Sequence, residues 1–208
     1  MPQRYKTVLL FGAPGAGKGT QGKILGKVPG FYHLACGDVF RSLDTSSELG
    51  HKFVEYSSRG ELVPDSLTIE MWRQNIHAQT VLSIYKPAVD LLILDGIPRN
   101  AAQAEAMDAH IEVLDVIHLV CPDLDKMVAR MKRRAIKENR LDDADEKVIR
   151  RRFEVYDRET KPVLDHYPRE NVHEVNAMGS PAEVLQHILE VVVPVQNKHF
   201  HNPLVVGA

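Results

Sequence analysis

The chain has little cysteine. Cys36 and Cys121 are its only two thiols among 208 residues, too few for a disulfide framework or a four-ligand zinc site. A reduced, cytosolic setting is expected. No run approaches the ~20 apolar residues of a membrane span, so a bilayer is not expected as a partner. The opening Met-Pro-Gln-Arg-Tyr-Lys carries no apolar signal segment. An excess of one charge is also missing. The 26 Lys and Arg against 28 Asp and Glu leave a formal net charge of −2, which supplies no overall field for nucleic acid or an anionic membrane. There is no internal repeat and no low-complexity tract. What is present is length for one main domain with small insertions and 44% hydrophobic residues, enough for a sizeable core.

Apolar runs alternate with helical patterns. Strands are predicted at about 7–11, 32–35, 91–94, 116–120 and 172–175, and helices at about 18–27, 38–43, 48–58, 65–79, 99–109, 124–137, 145–165 and 181–192. Strand–helix alternation predicts an α/β fold with a parallel sheet, and ligands on such sheets sit beyond the carboxyl ends of the strands. Residues 194–208 read as an irregular tail. It holds His199 and His201, to which no role is assigned.

One stretch organises the rest. Val8-Leu9-Leu10-Phe11, a buried-strand pattern, runs into Gly12-Ala13-Pro14-Gly15-Ala16-Gly17-Lys18-Gly19-Thr20, after which a helix starts. Glycines let this backbone turn its N–H groups inward, and with the helix N-terminus they form an anion cradle. Lys18 adds a point charge for the outer phosphates of a nucleotide. The strand, the glycine loop and the helix together make a P-loop rather than a flexible turn.

Other motifs read two ways on residues alone. Arg41, one turn beyond Asp38, is either a solvated helix residue or a fork on a phosphate. Asp95 ends the apolar strand Leu91-Leu92-Ile93-Leu94 and either caps the next helix or holds Mg²⁺. Arg99 and Gln103 lie four apart, expected on one helical face. In the helix from Leu124, the apolar stripe of Met127, Val128, Met131 and Ala135 puts Arg134 at its edge and Arg130 one turn back, both candidates for an interior anion. Arg133 is expected to face solvent. In the triplet Arg150-Arg151-Arg152 the face shared by Val148, Ile149, Val155 and Tyr156 includes Arg152. Arg151 lies off its edge and Arg150 points away. An inward Arg152 needs an anion, either a phosphate or a core Asp.

Several of these stretches together resemble the adenylate kinase family of nucleoside monophosphate kinases. They are the P-loop with Gly19 after Lys18, Gly37-Asp38 with Arg41, Ser47-Glu48-Leu49-Gly50, Gly60-Glu61-Leu62-Val63-Pro64-Asp65, Asp95-Gly96-Ile97-Pro98-Arg99 with Gln103, and Arg140-Leu141-Asp142-Asp143. Ile97 stands where the family usually has Phe. The last stretch is similar to the lid of short-lid members. It has no cysteine, so zinc is not expected.

The resemblance implies a P-loop NTPase-type five-stranded parallel sheet flanked by helices. The core would be 1–35, 75–133 and 144–208, with 36–74 a helical monophosphate-binding subdomain and 134–143 a short lid. It implies reversible transfer from Mg·ATP to AMP, giving two ADP, by a monomer. For ATP it implies Gly15, Ala16, Gly17, Lys18, Gly19, Thr20, Arg130 and backbone near Ser180. For AMP it implies Cys36, Arg41, Glu61, Val63, Gly96, Arg99, Gln103, Arg140 and Arg152. Lys18, Arg99, Arg130, Arg134, Arg140 and Arg152 would act on the transferred group, and Asp95 would hold Mg²⁺ through water. Cys36 departs from the family, where adenylate kinases usually place Thr and pyrimidine kinases Ala. Gln103 favours adenine, since UMP/CMP kinases tend to carry Asn there. A UMP/CMP kinase and an ATP-binding switch module remain the alternatives.

Overall fold

Five strands, β1 (Tyr5–Gly12), β2 (Phe31–Ala35), β3 (Leu91–Asp95), β4 (Ile111–Val120) and β5 (Val172–Asn176), form one sheet in the order β2-β3-β1-β4-β5. Every neighbouring pair is parallel, as expected from the alternation. The computed structural model describes residues 4–138, 140 and 143–199. Among the described residues, eight α-helices accompany the strands: α1 (Lys18–Leu25), α2 (Cys36–Arg41), α3 (Glu48–Ser58), α4 (Asp65–Val81), α5 (Ala101–Met107), α6 (Leu124–Glu138), α7 (Glu146–Val155) and α8 (Pro181–His199).

The sheet is buried on both faces, which explains why β3 is apolar without interruption. Side chains alternate across it. Leu9, Phe11, Leu92 and Leu94 point to one side and meet Met71, Trp72 and Ile76 of α4 and Ala104 and Met107 of α5. Val8, Leu10, Ile93 and Ile117 point to the other and meet Leu25 of α1 and Val184, Ile188 and Val192 of α8. A smaller cluster, Met127, Val128, Met131, Ile149 and Phe153, joins α6 to α7. The strand order reverses at β1, so a crevice opens where its carboxyl end meets those of β3 and β4.

Several boundaries differ from expectation. β4 begins at Ile111 rather than about 116, because a register shift between Thr7 and Val8 lets Ile111–Val113 pair with Tyr5–Thr7. α2 starts at Cys36, directly after β2, so Asp38 lies inside its first turn. α5 is confined to Ala101–Met107 because Asn100 caps it, its side chain accepting from the Gln103 N–H at 2.8 Å. The helix expected over 145–165 is α only to Val155, then a π-turn over Tyr156–Thr160 and a 3₁₀ turn over Lys161–His166. Pro162 has no N–H to continue the α pattern.

The expected irregular tail is partly helix, since α8 runs through Pro194 to His199. Its buried stripe continues past the proline through Val195, while Pro194 itself is exposed, where water can take the freed carbonyl. The Gln196 amide donates to the Pro29 carbonyl at 2.8 Å, and Lys6 Nζ lies 2.9 Å from His199 Nδ1. His201 and the lid residues Asn139, Leu141 and Asp142 lie outside the described residues. Among the described residues no helix is long and apolar enough to cross a membrane.

Gly50 is buried in the first turn of α3, where its N–H donates to the Ser47 cap at 3.0 Å. A Cβ there would lie 2.1 Å from the Asp44 carbonyl oxygen. Gly50→Ala is therefore expected to cost about 1–3 kcal/mol through overpacking against backbone. Calorimetry should show Tm lowered by roughly 2–4 °C for each kcal/mol in a chain of this size. An unchanged Tm would mean that the Asp44 turn yields freely.

Candidate functional site

The P-loop closes the carboxyl end of β1. Gly17 takes φ 104° as the cap of α1, a left-handed conformation that a side chain would strain. At Gly12 a Cβ would come within 2.8 Å of the Leu119 carbonyl oxygen on β4. Lys18 folds back over the loop, its ammonium donating to the carbonyls of Gly12 at 2.7 Å and Ala13 at 3.3 Å. Burial pulls that ammonium down to about 8. The Asp95 carboxylate opposes the shift, and Arg99, Arg134 and Arg152 add to it.

Two cavities open beyond the strand ends. The first lies between β3, α2, α3 and the start of α4. Its walls include Cys36, Arg41, Glu61, Val63, Gly96, Arg99, Gln103 and Arg152. The second runs along the P-loop from Gly15 to Thr20 and includes Asp95, Arg130, Arg134, Arg140 and Arg152. Lys18, Arg41, Arg99 and Arg152 line both, so the cavities meet at a cationic junction.

The cations are held by carboxylates. Asp143 is fully buried; its Oδ2 accepts from Arg134 Nε at 2.7 Å and its Oδ1 from Arg152. Arg41 bonds Asp38 at 2.6 Å. Partial burial raises the Asp38 carboxyl, but that bond and the charges of Arg41, Lys23 and Arg140 outweigh it and leave it below the usual range. Arg140 pairs with Glu138 at 2.8 Å and lies 3.7 Å from Asp38. Burial, then repulsion from Arg41 and Arg134, lowers its pKa. Arg130 donates to the Ala177 carbonyl at 3.1 Å.

A family model described as adenylate kinase matches residues 10–172. Curated relatives named adenylate kinase align along most of the chain. That of Kocuria rhizophila is 38% identical over 188 residues, covering 88% of this chain and 96% of the relative. That of Flavobacterium psychrophilum is 35% identical over 196 residues, covering 89% and 97%. That of Thermus thermophilus is 36% identical over 190 residues, covering 88% and 95%. The chain belongs to the adenylate kinase family.

Within this adenylate kinase fold most of the expected site residues do converge, but some arrive by other means. Arg140 lines the second cavity and not the first. Arg99 precedes α5, so it shares no helical face with Gln103. The two meet because the Arg99 N–H donates to Gln103 Oε1 at 2.8 Å. Ser180 is absent from both walls, although Gly179 and Pro181 border the second. Its N–H and hydroxyl are engaged with Glu183 at the start of α8. Arg133, expected to face solvent, lines the second cavity with Lys137. Both side chains are exposed, as expected of Arg133, on a flank of α6 that borders the open cavity.

Phe40 and Phe53 stack at 5.3 Å and wall the first cavity. Neither is singled out by the sequence. Tyr156, on the inward face that helical phase predicts, and Thr160 also line it, on a π-turn where an α-helix is expected. The Cys36 thiol is buried and pushed up to about 11 by that burial, so it adds shape and little reactivity.

The arginine triplet separates as helical phase predicts. Arg152 enters the junction, whereas Arg151 pairs with Glu154 at 3.0 Å and Arg150 with Glu146 at 2.7 Å on the outer surface. Arg152→Lys keeps the charge but loses the planar fork and is expected to reduce turnover strongly. Arg150→Lys should change it little. Steady-state rates of the two variants check this; a damaging Arg150→Lys beside a silent Arg152→Lys would reverse the assignment.

Proposed function

We propose that this chain catalyses reversible transfer of the terminal phosphoryl group of Mg·ATP to AMP, giving two ADP. The observation that carries the reading is the pair of cavities sharing Lys18, Arg41, Arg99 and Arg152. A donor and an acceptor bound on either side would present their phosphates to one set of cations. Phosphoryl transfer needs in-line positioning and charge stabilisation rather than a covalent residue.

In this reading the second cavity takes ATP. The N–H groups of Gly15 to Thr20 and the Lys18 ammonium hold its phosphates, exchanging the present Lys18 carbonyl contacts for phosphate oxygens. Arg130 and the backbone beside Ser180 flank the nucleoside. The first cavity takes AMP, with Arg41 and Arg99 on its phosphate, Gln103 on its base, and Cys36, Glu61, Val63 and Gly96 shaping the walls. Arg134, Arg140 and Arg152 meet the transferred group. Residues 36–74 act as the monophosphate subdomain and 134–143 as the lid, whose closure excludes water as a competing acceptor.

Mg²⁺ fits the donor set. Asp95 is 8% exposed at the end of β3 and faces the second cavity. Its carboxylate has no hydrogen bond or ion pair among the described residues. No group of three or more His, Cys, Asp or Glu that could hold a metal ion occurs among them, so Asp95 would hold a largely hydrated ion that completes its shell with phosphate oxygens. Bound there, Mg²⁺ would neutralise charge on the donor phosphates. A monomer in a reducing cytosol completes the reading, in keeping with the two free cysteines.

ADP formation from ATP with AMP, UMP or CMP tests the reaction. AMP should be the best acceptor, and equal rates with UMP or CMP would reassign the chain to the pyrimidine kinases. Lys18→Met should fold normally and lose on the order of a hundredfold or more in turnover.

Lys18 also sets a pH dependence. Burial leaves it charged below about 8, and phosphate favours the charged form. kcat/KM for ATP should therefore hold up to that pH and decline above it, approaching a tenfold loss per pH unit. The decline should vanish in Lys18→Met. A flat wild-type profile to pH 10 would remove Lys18 from phosphate binding.

A further inference from the structure

Gln103 is almost wholly buried in the wall of the acceptor cavity, and both ends of its amide are already engaged. Oε1 accepts from the Arg99 N–H at 2.8 Å. Nε2 donates to Asp65 Oδ1 at 2.7 Å. The same Asp65 oxygen accepts from Asn100 Nδ2 at 2.9 Å, while Asn100 Oδ1 accepts from the Gln103 backbone N–H at 2.8 Å. Asp65 begins α4, Asn100 caps α5, and the small network ties the two helices together.

A backbone N–H can only donate and a carboxylate can only accept. Reversing the Gln103 amide would set donor against donor at Arg99 and acceptor against acceptor at Asp65. The amide is held in one direction. A primary amide has two lone pairs and two N–H bonds, so one of each remains: a lone pair on Oε1 and an N–H on Nε2.

That remainder is directional. The edge of adenine offers a donor at N6 and an acceptor at N1. A 6-oxopurine offers the reverse, an acceptor at O6 and a donor at N1. An amide in the observed direction suits one of these edges, and the same amide reversed suits the other. We propose that Asp65, by fixing the direction of the Gln103 amide, makes the acceptor site select a 6-aminopurine over a 6-oxopurine monophosphate. This rests on the reading of AMP as acceptor and of Gln103 as the group facing its base. Asp65 is a positioning residue here, acting through Gln103 from a separate helix.

The test compares kcat/KM for AMP and for inosine monophosphate, each with ATP as donor. Wild type should favour AMP by about ten- to a hundredfold, as unpaired buried polar groups dictate. Asp65→Ala removes the acceptor and should reduce that ratio about five- to tenfold with KM for ATP unchanged. Asp65→Asn keeps an oxygen at the same place and should restore the ratio. Asp65→Leu repeats the measurement should the alanine variant fail to fold.

A ratio unchanged in Asp65→Ala overturns the proposal. So does an equal loss for both monophosphates, the mark of a merely structural role. In either case the preference of wild type for AMP stands, and with it the acceptor reading. A wild type that uses UMP or CMP as well as AMP would instead sink the acceptor reading itself, and this inference with it.

Discussion

Positive charge crowded into one crevice is the constraint on which the rest of this structure depends. Lys18, Arg41, Arg99, Arg130, Arg134, Arg140 and Arg152 all line the two cavities. Unscreened, such charges repel by several kcal/mol per close pair at an effective dielectric constant of ~20. The fold answers in two ways. It spreads the cations over separate elements, from the P-loop and α2 to α6 and α7, so that each arrives from its own direction. It also threads carboxylates among them: Asp38 beside Arg41, Glu138 beside Arg140, and Asp143 between Arg134 and Arg152. Burial first, and neighbouring cations second, lower Lys18 and Arg140, and a bound polyphosphate would oppose both shifts.

Much of this was legible in the residues, because burial writes itself as periodicity. The uninterrupted apolar run of β3 announced a strand covered on both faces. The glycine loop after β1 announced a tight strand-to-helix turn, since that much glycine ahead of a helix supplies the backbone freedom that Gly17 uses at φ 104°. Helical phase alone picked Arg152 from its triplet, because only one of three successive residues can share the face of Ile149 and Tyr156.

What was not legible has equally physical causes. Periodicity states which side of a helix meets the core, but not what lies past the core's rim, so Arg133 read correctly as exposed while the open cavity it borders went unseen. Caps and local side-chain bonds override helix propensity within a residue or two. Asn100 thereby moves Arg99 off α5 and still leaves it bonded to Gln103. Residues from 194 on read as an irregular tail, yet Pro194 lies on an exposed face and leaves the stripe of α8 intact. Tyr156 read as inward-facing, but the π-turn that carries it has no spacing rule to betray it.

Asp143 also governs how a ligand arrives. Its carboxylate is fully buried and accepts from both Arg134 and Arg152. The two guanidinium groups have therefore already shed much of their water and already face an anion. For them a phosphate bound as proposed would be not the first counter-ion but a replacement or a third member. The hydration cost of gathering them was met when the chain folded, and binding becomes an exchange of one oxyanion for another. An exchange of that kind is easily reversed, which suits a site that must let go of its product as readily as it takes hold of its substrate.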